Sequence, residues 1–164
     1  MAKNWFGNEV GTQMGGMLAG DTVEGPGDAV RHAMTAALYT QKYGPMLTGL
    51  FGNLNEWMNV GMGGNNLANE ADQINNALGI EIGQVATTPE EAAMMVLDQA
   101  RRSVGQESYW GWNPSESDRL DASVPMSWNR QHYGESPSDI NKQIDALQRQ
   151  LDEGMFRQQF DYFR

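Results

Sequence analysis

Cysteine is absent from this 164-residue chain, and histidine and basic residues are scarce. Without cysteine there is no disulfide, zinc ribbon, iron–sulfur cluster or thiol nucleophile. The 11 lysines and arginines are outnumbered by 21 aspartates and glutamates, so the formal net charge is −10, and the excess extends over both halves of the chain. A general nucleic-acid-binding surface needs clustered lysine and arginine. The composition therefore excludes general nucleic-acid binding.

Long apolar runs are absent as well. A transmembrane helix needs about 18 or more consecutive apolar residues, and the chain contains no such run. Near the N-terminus the apolar residues are interrupted by Gly11, Gly15 and Gly16, which does not match the continuous apolar core of a signal peptide. We expect no transmembrane segment. If the protein leaves its cell of origin, we expect it to do so without a signal peptide, for example inside a particle.

Glycine, in contrast, is abundant and unevenly placed. Seven of the 19 glycines fall in residues 1–27, and glycine is costly inside a regular helix or strand. This segment is therefore predicted to be an irregular docking arm. Because it also carries apolar side chains, it could cover either the core of its own chain or a partner. The rest divides into a helical core domain (28–105), a polar, aromatic loop (106–135) and a C-terminal helix with a tail (136–164).

Four helices are predicted in the core domain. Each is bounded by glycine, proline or an N-cap residue and carries apolar residues three and four positions apart, and their expected ranges are 28–43, 45–60, 66–82 and 88–105. Asp28 and Thr88 are the predicted N-caps of the first and the fourth. No strand pair and no internal repeat is found. The fold class is mainly α: a small bundle of about four core helices, with the irregular arm before it and an aromatic tail after it.

The C-terminal segment is predicted to contain one further helix. It opens at Ser136 and places apolar residues at four- and three-residue steps: Ile140, Ile144, Leu147 and Leu151. Gly154 interrupts it, and the tail that follows is rich in phenylalanine: Phe156, Phe160 and Phe163. This tail could pack on the core or serve as a docking peptide. The methionines are interpreted as core filler.

One of the two histidines has neighbours that suggest chemistry. His32 lies on the first predicted helix beside Arg31, and Asp28 lies four positions earlier on the same helix face. A carboxylate there would hold the imidazole in one tautomer and favour its charged form. The same residues could equally form a surface ion pair or a satisfied core histidine. His132, in the aromatic loop, is interpreted as structural or exposed.

The third predicted helix adds a strip of short polar residues. Asp72, Asn75 and Asn76 are spaced i, i+3 and i+4, so all three are expected to face one cleft. Polar groups buried there would need partners, which the first helix, an ion or a substrate could supply. Glu56, on the second predicted helix, could complete the set.

These motifs together resemble an uncharacterised bacterial and phage domain family. The segment R-H-A-M-T-A-A-L, a following Asn-Glu pair and D-Q-I-N-N-A-L-G are similar to its Arg/Lys-His helix, its His-Glu pair and its Asp-x-x-Asn-Asn-x-x-Gly helix, over residues 25–105. By position, the resemblance implies this polar set: Arg31, His32, Glu56, Asp72, Asn75, Asn76 and Gly79.

The chain departs from the family pattern at Asn55, which stands in place of the histidine before the glutamate. One of two imidazoles is therefore missing, which weakens a metal site. The groups that remain for a metal are His32, Glu56 and Asp72. One imidazole with two carboxylates favours a harder divalent ion over zinc. No particular metal or other cofactor is indicated.

Two classes of function fit these features. The first, which the two terminal segments favour, is a phage virion component that is internal, ejected, or associated with the portal or tail. It would act by assembly with other virion proteins or with copies of itself, because arms and tails of this kind become ordered on a partner. A weaker alternative of the same binding type is an acidic decoy for a nucleic-acid-binding host protein, which the dispersed acidic residues do not favour.

The second class is a cell-envelope hydrolase, which a virion could also carry. Its candidate catalytic residues would be His32 as general base or metal ligand, with Glu56 and Asp72 as acid, base or ligands. Arg31 would bind an anionic group, and the two asparagines of the third helix would orient the substrate. Neither a Walker-type loop nor a G-x-S-x-G elbow is present, so nucleotide and serine-hydrolase chemistry are not indicated.

Overall fold

The computed structural model describes residues 6–18, 25–50, 66–105, 126–128 and 136–164. Over these ranges the protein is mainly helical, without a strand, and forms a small bundle, so the predicted fold class is confirmed. Residues 45–50 are also helical, and the remainder of the second predicted helix lies outside the described residues. The other helices are α1 (Phe6–Gly16), α2 (Pro26–Tyr43), α3 (Asn66–Val85), α4 (Pro89–Ser103), α5 (Pro137–Asp152) and α6 (Arg157–Phe160), followed by a short 3-10 helix (Asp161–Phe163).

Helix α2 is the centre of the bundle and packs against α1, α3 and α4. Its contact with α3 is unusually close, because two glycines of α3 lie on the α2 backbone. A Cβ atom added to Gly79 would lie 2.2 Å from the carbonyl oxygen of Ala33, and one added to Gly83 would lie 2.5 Å from that of Ala37. Any larger residue would push the two helices apart. This close approach brings the polar faces of α2 and α3 together.

The prediction of an irregular N-terminal arm is wrong for residues 6–16, which form α1. Glycine suits this helix because α1 also lies against α2. A Cβ atom on Gly11 or Gly15 would be 2.7 or 2.4 Å from a backbone carbonyl oxygen of α2. Three apolar side chains of this segment are buried in the core of the same chain: Val10, Met14 and Leu18. The described part of the arm therefore covers its own core.

Helix boundaries follow the capping residues with one correction. Helix α2 begins at Pro26 with Gly25 as its N-cap, so Asp28 lies in the first turn and is not the predicted cap. Proline suits the first helical position because its φ is preset and its missing N–H would have no helical partner there. Thr88 is an N-cap as predicted, and Ser136, where the C-terminal helix was expected to open, is also an N-cap; each side chain accepts the N–H of the third helical residue.

The C-terminal segment packs on the core. The predicted apolar face of α5 is buried, and α5 lies against α4. Gly154 follows the end of α5 and has a φ of 76°, in the left-handed region of backbone conformation that favours glycine. The tail phenylalanines are buried, which supports core packing over a free docking peptide: Phe156, Phe160 and Phe163. Among the helices of the described ranges, none has both the length and the apolar character that crossing a membrane requires.

The methionines divide between core and surface. Those fully buried in the core fit the interpretation as core filler: Met14, Met34 and Met126. Other methionines are exposed and therefore do not fill the core: Met17, Met46, Met94 and Met155. Most of the predicted aromatic loop, including His132, lies outside the described residues, and its described part, residues 126–128, is buried against the bundle.

Candidate functional site

A group of polar side chains lies between α2 and α3, and we call it the His32 cluster. Asp28, Arg31 and His32 come from α2, and Asp72 and Asn76 come from α3. Residues three and four positions apart share one helix face, so each helix presents its members to the other. The glycine contacts of α3 with α2 set how closely these two faces meet.

His32 is buried at the centre of the cluster, with 9% of its surface exposed. Its Nδ1 lies 3.2 Å from Asn76 Oδ1, and its Nε2 lies 2.8 Å from an Arg31 guanidinium nitrogen. A neutral imidazole with its proton on Nδ1 satisfies both contacts, because Nδ1–H donates to Asn76 and Nε2 accepts from Arg31. In this tautomer the lone pair of Nε2 accepts the hydrogen bond from Arg31.

The pKa of His32 agrees with this neutral form. Burial, and after it the charge of Arg31, lower the pKa from its ordinary value of 6.5 to about 4. The Asp28 carboxylate raises the pKa, as the sequence predicted, but by less than the other two effects lower it. The carboxylate therefore favours the charged form, as expected, but the imidazole is neutral near pH 7 because its pKa lies well below that pH. Desolvation penalises the cation more than one carboxylate stabilises it.

Two carboxylates converge on the unprotonated nitrogen. His32 Nε2 lies 3.3 Å from Asp72 Oδ1 and 3.8 Å from Asp28 Oδ1. Arg31 neutralises part of this charge: its Nε donates to Asp28 Oδ1 at 3.0 Å, and its terminal nitrogen donates to the same oxygen. Asp72 and Arg31, with 20% and 31% of their side chains exposed, are nearer to solvent than Asp28 and His32, with 7% and 10%.

Asn75 lies outside the cluster, although the sequence placed it there. Its Nδ2 donates to the carbonyl oxygen of Ser127 at 2.8 Å, and its Oδ1 accepts the N–H of Ser127 at 2.9 Å. Met126 N–H also donates to Ser103 Oγ, at 2.9 Å. Together these bonds hold residues 126–128 against α3 and α4. Asn75 therefore has a structural partner of its own, which sequence reasoning missed.

The sequence did not distinguish the two asparagines. Asn75 and Asn76 follow Asp72 by three and four positions, so both lie near its helix face, and only the position of Ser127 shows that Asn75 has another partner. Asp28, conversely, belongs to the cluster although the candidate catalytic set omits it, and its spacing to His32 was visible. Glu56 and Asn55 lie outside the described residues, and Gly79 has a packing role against α2.

The arrangement contains the donors of a cation site. One ligand atom each from Asp28, His32 and Asp72 lie within 4.8 Å of one another. Carboxylate oxygens and a neutral imidazole are ligands for divalent cations. The nearby guanidinium of Arg31 is suited to bind carboxylate or phosphate. Such a site could combine cation binding with recognition of an anionic group.

A separate cavity of about 680 Å³ lies at the other end of α2, between Gln41, Thr88 and Phe163. It shares no residue with the His32 cluster. Its arginine, Arg164, is already paired with Asp161 and Glu90. We therefore place the candidate site at the cluster.

Comparison of the chain with protein-family models, with curated proteins and with solved structures finds no match in any of the three. The resemblance of the motifs to a bacterial and phage family therefore stays a prediction.

Proposed function

We propose that this chain is a hydrolase acting on a component of the bacterial cell envelope, with the His32 cluster as its centre. The observation that carries the proposal is the convergence of two carboxylates, a neutral imidazole and a guanidinium on one partly exposed point. Groups with pKa values shifted by burial and by charged neighbours concentrate at functional sites. Because the motifs resemble a domain family of bacteria and phages, polymers of the bacterial envelope are the first substrates to test.

The geometry suggests different roles for the members of the cluster. Asp72 is the more exposed carboxylate and is suited to take a proton from an attacking water. Arg31 reaches solvent and is suited to hold an anionic group of the substrate. A base is most effective when its pKa lies near the working pH, so His32, with a pKa of about 4, is a weak proton acceptor. Its neutral nitrogen is better suited to coordination or positioning.

The test is hydrolysis of purified envelope material, with peptidoglycan sacculi first, by the full chain. We expect soluble fragments from the wild-type protein and a loss of about 100-fold or more in D72N, as for removal of a catalytic acid or base. D145N is the matched control, because Asp145 is an exposed carboxylate on α5 whose ion-pair partner, Arg101, lies outside the His32 cluster. Equal activity in D72N and wild type, or no release from any envelope fraction, would refute the proposal.

A second candidate function is assembly within a phage virion, and one observation favours it. Residues 45–50 present apolar side chains to solvent, with Met46 85%, Leu47 44% and Leu50 54% exposed. Grouped exposed apolar residues commonly mark interaction sites. The partners would be other virion proteins or further copies of this chain. The two functions are compatible, because a virion can carry an enzyme.

Assembly is tested by light scattering of the purified chain and by mass spectrometry of particles from a phage that encodes it. We expect the chain in the particles, and loss of its incorporation in the double variant M46S/L50S. M155S is the control, because Met155 is also exposed, at 56%, but lies near the C-terminus. A chain that is monomeric and absent from particles would rule out this candidate.

A further inference from the structure

We infer that the His32 cluster binds one divalent transition cation, with Asp28, His32 and Asp72 as its protein ligands. The role of this cation rests on the proposed function, since a bound cation would supply an activated water for hydrolysis. Binding itself can be measured without any substrate. The two ideas can therefore fail separately.

The distances among the ligand atoms suit a single ion. Metal–ligand bonds of about 2.1 Å place neighbouring ligand atoms around one ion about 3–4 Å apart. His32 Nε2 lies 3.3 Å from Asp72 Oδ1 and 3.8 Å from Asp28 Oδ1. The two carboxylate ligand atoms also lie within 4.8 Å of each other. One cation could therefore contact all three groups once the Arg31 guanidinium has moved from between them.

The second nitrogen of His32 is held as it is in metal sites. A metal-ligating histidine almost always donates its other ring N–H to a carbonyl, carboxylate or water, which fixes the tautomer and the ring orientation. Here Asn76 Oδ1 accepts Nδ1–H, at 3.2 Å. This bond leaves Nε2 without a proton, close to both carboxylates. Asn76 is therefore a positioning residue for the ligand.

Arg31 stands where the cation would bind. One guanidinium nitrogen contacts both His32 Nε2, at 2.8 Å, and Asp28 Oδ1. The two carboxylates carry two negative charges, of which Arg31 neutralises one, so a divalent ion would balance the site more completely. With 31% of its side chain exposed, Arg31 can turn toward solvent without opening the core. It would then lie beside the ion, able to bind an anionic group.

The donor set indicates the class of cation. Imidazole suits first-row transition ions, whereas Mg²⁺ and Ca²⁺ prefer oxygen ligands alone. We therefore expect Mn²⁺, which carboxylates suit and which is a first-row transition ion, to bind more tightly than Mg²⁺ or Ca²⁺. Mn²⁺ is also a convenient probe, because its paramagnetic resonance reports nitrogen atoms in its coordination shell.

The experiment measures Mn²⁺ binding to the full chain by calorimetry and by electron spin-echo spectroscopy. We expect one ion per chain, a ¹⁴N modulation from the imidazole, and an affinity reduced about tenfold or more in D72N and H32Q. D145N should bind as the wild type does. R31Q should bind Mn²⁺ at least as tightly as the wild type, because the competing internal cation is gone.

Three results would overturn the inference: no stoichiometric binding, equal affinity in D72N and wild type, or bound Mn²⁺ without a nitrogen ligand. The spectrum of the wild-type complex decides the last point even if a variant fails to fold. Stoichiometric Mn²⁺ binding at these residues without hydrolysis would support the cation site and refute the hydrolase. Hydrolysis that depends on Asp72, persists in EDTA and is accompanied by no Mn²⁺ binding would refute the cation site and support the hydrolase.

Discussion

Replacing Gly79 by alanine tests whether α2 and α3 really lie in backbone contact. The added methyl carbon would lie 2.2 Å from the carbonyl oxygen of Ala33 and 2.7 Å from the Cβ of Ala36. The nearer atom belongs to the backbone of α2 and cannot rotate away. Since ordinary contacts of this kind are about 3.4 Å or longer, the helices would have to separate by about 1 Å.

The size of the effect follows from two opposing terms. Overpacking a close contact costs about 1–3 kcal/mol, and a clash with backbone belongs at the upper end of that range. Alanine is favoured over glycine inside a helix by about 1 kcal/mol. We therefore expect G79A to lower the free energy of unfolding by about 2 kcal/mol. The same separation should move Asp72 and Asn76 away from His32 and weaken Mn²⁺ binding.

G49A is the matched control and should have the opposite sign. Gly49 is also helical, but a Cβ there would meet only the Ile80 side chain, at 3.9 Å. Its free energy of unfolding should be unchanged or raised by up to about 1 kcal/mol. Urea unfolding followed by circular dichroism measures both variants. If G79A were as stable as G49A, the close approach of α2 and α3 would be wrong, and with it the geometry of the site.

Three further predictions concern the cluster and its surroundings. The pKa of His32 falls from 6.5 to about 4 on folding. The free energy of unfolding should therefore decrease as the pH drops from above 6.5 toward 4, by about 3 kcal/mol in total, because the unfolded chain then binds a proton that the folded chain does not. Urea unfolding at several pH values should show this decrease in the wild type but not in H32Q. N75A should lower the free energy of unfolding by about 2–3 kcal/mol, because it removes two buried hydrogen bonds to Ser127. The Mn²⁺ affinity measured by calorimetry should stay unchanged, and a large loss of affinity would place Asn75 in the site. F160A should lower the free energy of unfolding by about 3–5 kcal/mol, because Phe160 is 1% exposed, whereas M155A, at a 56% exposed position, should lower it little. Equal losses of thermal stability in the two variants would contradict core packing of the tail.

Much of the fold could be predicted because its signals are local. The caps at Thr88 and Ser136 act within one helical turn, and the apolar spacing of α5 depends only on helix geometry. The irregular arm was a wrong prediction for a related reason. Glycine propensity is also a local property, but in α1 the contact of Gly11 and Gly15 with α2 outweighs it, and a contact partner is not visible in local sequence.

The site was predicted in part. The faces of Arg31, His32 and Asp72 follow from helical spacing, so their residue types could be assembled into one candidate strip. The direction of the pKa shift of His32 could not be predicted from the sequence, because burial by neighbouring helices lowers the pKa more than the adjacent carboxylate raises it.

By itself, the sequence determined the helical class of the protein, the ends of most helices and the residues available for chemistry, since each depends on interactions within a few positions of the chain. Only the tertiary structure decided which polar residues meet. It separated Asn75 from Asn76, added Asp28, and left His32 neutral between two carboxylates. These outcomes depend on the distance between α2 and α3, which is set by glycines that pack on another helix.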